Sequence, residues 1–136
     1  MKPVVLYRIA AVWLAIFAIL HTIGFLRFKP PTEEGMAVLH GMESVHFVVN
    51  GTNFSYGHFY EGFGLFITAY LLFSAVLAWQ LGSLAAARVQ AVPPIGWSLC
   101  AVQIASIALR WYYFFPVQGG FAGVSAALLG WAAWLC

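Results

Sequence analysis

Four stretches of this sequence carry no Lys, Arg, Asp or Glu: Ile9–Leu26, Gly62–Ala87, Val89–Leu109 and Trp111–Cys136, or 18, 26, 21 and 26 residues. A helix needs about 20 apolar residues to cross the hydrocarbon of a bilayer. There, only helices and closed barrels satisfy their own backbone. The alternation of a barrel strand is absent, so the runs are read as helices. Composition agrees, since 63% of residues are hydrophobic and 7% charged, against about 25% charged in a soluble domain. Such a chain cannot coat a water-facing surface. The sequence predicts an all-α integral membrane protein, one domain over residues 1–136. Four antiparallel transmembrane helices are expected at about 5–28, 56–82, 93–115 and 119–136.

Several function classes fall away. The net charge is +2 with no basic cluster, so nucleic acid finds no electrostatic footprint. Cys100 and Cys136 form no C-x-x-C pair, which argues against thiol–disulfide chemistry. No phosphate-binding loop, nucleophile elbow or dinucleotide fingerprint is present. The basic start and apolar stretch of the first run imitate a signal peptide. No small-x-small cleavage pattern follows, and the run is read as a retained helix.

Only one connection is long, residues 29–55. It holds Pro30-Pro31, three of the four glutamates and two of the four histidines. Thr32-Glu33-Glu34 reads as a helix start, a capping hydroxyl followed by acids in the first turn. A short interfacial helix is expected from about Glu33 to Val49, then a turn at Asn50-Gly51-Thr52-Asn53. Asn50 and Asn53 each begin an N-x-S/T sequon, which matters only in a eukaryotic secretory route. On the last helix, Gly119, Gly123 and Ala127 form one small-residue row and Ala122, Ala126 and Gly130 another. Such rows let helices approach closely in lipid, so a homo- or hetero-oligomer through helix four is one expectation. Lys2, Arg8 and Arg88 oppose Arg27, Lys29 and Arg110, a tie under the positive-inside rule. The Pro-rich, acidic long loop favours cytoplasmic termini.

In this topology His21, His58, Glu61 and Arg110 fall in one leaflet, beneath the loop that carries His40, Glu43 and His46. Charge in lipid is costly unless paired, and Glu61 with Arg110 is the natural pair. His58 and Glu61 stand at i, i+3 on one helical face. Gln103, Ser106 and Arg110 share a stripe with Tyr113, and Trp13, Phe17 and His21 line the first helix. Together these describe a pocket with Glu61, His58, Arg110 and His21 as catalytic candidates. Tyr60, Leu65, Gln103, Trp111, Tyr113 and Phe17 would hold a lipid or isoprenoid that enters headgroup first. His40, Glu43 and His46 are metal-ligand candidates with His58 and Glu61, although the six-residue step from His40 to His46 turns them about 120° apart. Haem held by His21 and His58 is a further option. No cofactor is favoured.

His21-Thr22-Ile23-Gly24 and the segment Asn53-Phe54-Ser55-Tyr56-Gly57-His58-Phe59-Tyr60-Glu61-Gly62-Phe63-Gly64 resemble stretches of small four-helix bacterial membrane proteins of unassigned function. That resemblance implies a fold and no activity; a bacterial inner-membrane location is a separate expectation. By architecture the chain also looks like sterol-isomerase and emopamil-binding proteins and small membrane-bound terpene cyclases. Such enzymes typically use two intramembrane acids, whereas Glu61 is the single spanning acid here. Three readings follow. The first is a membrane enzyme acting on a lipid or isoprenoid by acid–base chemistry. In it Glu61 is the acid or base, His58 and His21 relay or orient, and Tyr60, Tyr113 and Trp111 shield cationic charge. The second is a haem- or metal-binding redox subunit, and the third a non-catalytic accessory subunit.

Overall fold

The computed structural model describes residues 2–113 and 116–136, at 116–118 by backbone alone. The element order is α1 (Pro3–Leu26), α2 (Glu33–Ser44), β1 (His46–Val49), β2 (Thr52–Ser55), α3 (Tyr56–Ala86), α4 (Val92–Tyr113) and α5 (Pro116–Trp134). Helix dominates, as the apolar runs require. α1, α3 and α4, of 24, 31 and 22 residues, are long and apolar enough to cross a membrane. The described apolar part of α5 is shorter, Gly119–Trp134.

The chain forms two compact units: Met1–Phe17 with Leu71–Cys136, and Ala18–Tyr70. In the first, each helix buries one face. α1 contributes Leu6, Tyr7, Ala10, Ala11, Leu14 and Phe17; α3 contributes Leu71, Ser74, Ala75, Ala78 and Leu81. The opposite face of α1 is equally apolar, with Val5, Ile9, Val12 and Ile16 uncovered. A helix that is hydrophobic all round suits a lipid environment.

Close packing there relies on glycine. A Cβ on Gly96 would collide with the Tyr7 hydroxyl and stand 3.0 Å from Ala133 Cβ. A Cβ on Gly130 would stand 3.2 Å from Cys100 Sγ, and that thiol donates to Ala126 O at 3.3 Å. Of the two small-residue rows on the last helix, Ala122, Ala126 and Gly130 is wholly buried, whereas Ala127 of the other is exposed. The buried row packs against α4 of the same chain. Trp13 Nε1 donates to Phe121 O at 3.0 Å, and Phe121 stacks on Trp13 and Phe17 at centroid distances of 5.0 and 4.9 Å.

In the second unit α2 is shorter than its expected extent to Val49. Thr32 caps it as anticipated, its hydroxyl accepting from Gly35 N at 3.1 Å. It stops at Ser44, and His46–Val49 pairs antiparallel with Thr52–Ser55. The expected simple turn is therefore the tip of a β-hairpin. The reason is local. Asn50 and Gly51 both take positive φ, 50° and 80°, the two-residue turn whose twist matches paired strands and that Asn-Gly favours. Val45, Phe47, Val48 and Val49 are residue types that strands favour over helices.

One packing test follows from the Tyr7–Gly96 contact. Gly96→Ala is expected to cost about 1–3 kcal/mol through overpacking. Tyr7→Phe in that background should restore part of it. Thermal unfolding in detergent of the wild type, both single variants and the double variant measures the coupling; strictly additive changes would contradict the contact.

Candidate functional site

The first turns of α3 are placed by Ser55. This residue, 3% exposed, ends β2 and caps α3, its hydroxyl oxygen accepting the His58 backbone N–H at 3.1 Å. Capping fixes where the helix begins, and so which way His58 and Glu61, three residues apart, project. The start of α3 also lies tight against the end of α2. A Cβ on Gly57 would stand 3.3 Å from Met42 O and 3.4 Å from Glu43 Cα.

Farther along, α3 meets the last turns of α1. The Phe25 ring occupies the space a Cβ on Gly64 would need. His21 Nε2 donates to Gly64 O at 3.2 Å. Thr22 Oγ1 donates to Ala18 O at 2.7 Å. Its single proton is thereby used, so the 2.9 Å contact with Thr68 Oγ1 has Thr68 donating. Phe25 and Tyr60 lie 5.3 Å apart, ring to ring.

Between these elements the second unit holds an open-sided cleft of about 540 Å³. Its polar lining is Glu43, His46, Ser55, His58, Tyr60 and Glu61, and its apolar lining includes Phe25, Leu26, Phe28, Val38, Leu39 and Met42. Such a volume, with apolar walls and a few polar groups, matches the dimensions of small-molecule sites. The hairpin register brings His46 opposite Ser55. Both residues line the cleft, while the alternate residues Phe47 and Phe54 pair at 6.1 Å, and Phe47 also meets Tyr56 at 4.9 Å. One face of the hairpin serves the cleft and the other an aromatic cluster.

Of the expected site residues, His58, Glu61, Tyr60, Glu43 and His46 are thus brought together. His21 belongs to the same unit, held at Gly64. Leu65 is exposed and outside the cleft lining. Phe17, Gln103, Arg110, Trp111 and Tyr113 belong to the other compact unit. There Gln103 is buried, and Arg110 is buried with its guanidinium carbon 4.8 Å from the Phe17 ring centre. Trp111 and Tyr113 are largely exposed.

The proposed ligand trio His40, Glu43 and His46 is not assembled. His40 Nδ1 lies 3.6 Å from Glu43 Oε2 on α2, with both side chains well exposed. His46 lies beyond the helix end, on β1, where its Nδ1 donates to Ser44 O at 2.8 Å. Among the described residues, no three His, Cys, Asp or Glu side chains form a group able to hold a metal ion.

Sequence reasoning overlooked the cleft walls. Phe25 continues the stripe Trp13, Phe17, His21 by one more step of four, and Val38, Leu39 and Met42 form an apolar face on α2. Both signals were in the residue spacing.

Comparison of the chain with protein-family models, curated proteins and solved structures gave no match.

Removing the cap tests how the site is held. Ser55→Ala is expected to cost about 1 kcal/mol, with faster amide exchange in the first turn of α3 and unchanged exchange in α4 and α5. Equal loosening of all helices would show that the hydroxyl has no local role.

Proposed function

We propose that the chain is a four-span membrane protein of a bacterial inner membrane, with both termini cytoplasmic and α2 lying at the bilayer surface. We further propose that it is a small enzyme acting on a lipid or isoprenoid by proton transfer, of the isomerase or cyclase type. The observation that carries this reading is the cleft of about 540 Å³, in which His58 and Glu61 face aromatic and aliphatic walls.

The chemistry needs little else. A proton from the protonated His58 adds to one carbon of the double bond, the carbocation so formed loses a proton from its other neighbouring carbon to the Glu61 carboxylate, and the double bond is shifted. No oxidant or reductant enters that balance. His58, three residues earlier on the same helical face, supplies or accepts the proton in exchange with solvent. Phe25, Phe28 and Tyr60 present rings whose faces stabilise cationic charge as it develops. The hydrocarbon body lies against Leu26, Val38, Leu39 and Met42, where apolar contact holds it at about 25 cal/mol per Å² removed from water.

The test uses detergent-purified protein, extraction of its bound lipid and incubation with isoprenoid and sterol substrates followed by mass spectrometry. The wild type is expected to shift or close a double bond. Glu61→Gln should retain helical content and thermal stability while turnover falls about 10²–10⁴-fold. A fully active Glu61→Gln protein would overturn the proposal.

A further inference from the structure

The cleft also carries information about the polar end of the molecule that fills it. Resting on the reading that the cleft holds an amphiphile, we infer that it selects a long-chain amine, drawn from the membrane with its protonated nitrogen between Glu43 and Glu61.

The argument is a balance of charge, donors and acceptors around the lining. Glu43 and Glu61 are its two carboxylates, and the lining contains neither Lys nor Arg. A phosphate, sulfate or carboxylate headgroup would meet two like charges with neither Lys nor Arg among the lining residues, and like charges brought together are repelled. Among the described contacts, the His40 imidazole, 3.6 Å from Glu43, is the one ring paired with either carboxylate. The imidazoles do not reverse this balance. His46 has committed its Nδ1 hydrogen to Ser44 O, so the neutral ring offers an acceptor, Nε2. Ser55 already accepts from the His58 N–H. Its hydroxyl, that of Tyr60 and the single ring N–H of a neutral His58, whose other ring nitrogen accepts, are the remaining neutral donors.

An excess of acceptors calls for a donor-rich ligand. An ammonium group has up to three N–H donors and the charge that complements two carboxylates, and charge-assisted bonds of this kind are about twice as strong as neutral ones. Phe25, Phe28 and Tyr60 also line the cleft, and aromatic faces attract cations. A hydroxyl headgroup would satisfy one or two acceptors without gaining the charge term. The apolar lining of Phe25, Leu26, Phe28, Val38, Leu39 and Met42 takes the hydrocarbon chain, which a short, water-soluble amine lacks.

The test is titration of the full-length protein, in zwitterionic phosphatidylcholine nanodiscs, with hexadecylamine, hexadecanol and hexadecyl phosphate, with butylamine as the soluble amine. Hexadecylamine should bind about tenfold more tightly than hexadecanol, and hexadecyl phosphate and butylamine most weakly. The Glu43→Gln/Glu61→Gln double variant should lose that tenfold advantage, binding hexadecylamine and hexadecanol about equally. Both carboxylates are exposed, so the variant is expected to fold, and its melting curve checks this. Equal binding of amine and alcohol by the wild type, tighter binding of the phosphate or of butylamine, or an amine preference that survives in the double variant would each overturn the amine inference and leave the cleft reading standing. Failure of all three long-chain compounds to bind would overturn both.

Discussion

Where the outside of a helix is as apolar as its inside, burial of hydrocarbon cannot decide which face turns inward. Shape decides instead. Lipid tails solvate Leu as well as another helix does, so close approach and van der Waals fit carry the packing. In this chain the fit is made by glycine against something bulky. Tyr7 fills the notch at Gly96, Cys100 and Trp97 press on Gly130, and Phe25 lies across Gly64. Each notch fixes the rotation and height of the helix that bears it. Within the second unit, the Phe25–Gly64 contact sets α1 against α3 in this way.

The site inherits its geometry from two such constraints. Gly57 lets the start of α3 settle against the end of α2, and Ser55 caps the helix at that point. The first turns of α3, which carry His58 and Glu61, are therefore placed by these two contacts. Thr22 and Thr68 join α1 to α3 through hydroxyls, and Thr22 also returns a bond to its own helix. Polar contact is thereby obtained in an apolar setting without introducing charge.

The gross architecture was legible because it follows from one-dimensional facts. Charge-free runs of the observed length become helices, and three of them are long and apolar enough to cross a membrane. The cap at Thr32 was readable for the same reason, since it depends on residues three apart. The hairpin was missed although Asn50-Gly51 announced it. With only four residues of strand on each side of the turn, the residues before it carry too short a pattern to distinguish a strand from the end of a helix. Gathering polar residues at one end of an idealised antiparallel bundle pairs Arg110 with Glu61; within its own compact unit Arg110 lies against Phe17. Helix depth can be estimated from sequence, but helix rotation is set by the glycine notches. Those depend on partners distant in sequence.

The hairpin register ties the length of the surface loop to the chemistry of the cleft. His46 and Ser55 share one face, Phe47 and Phe54 the other. Shifting the pairing by one residue exchanges those faces. An aromatic ring would then stand where an imidazole does, and the hydroxyl that caps α3 would be drawn away from its helix. The two residues at the tip act as a ruler. Changes of side chain at Val48 or Asn53 leave the measure intact, while one residue inserted between Val49 and Thr52 would rewrite the wall of a pocket it never touches.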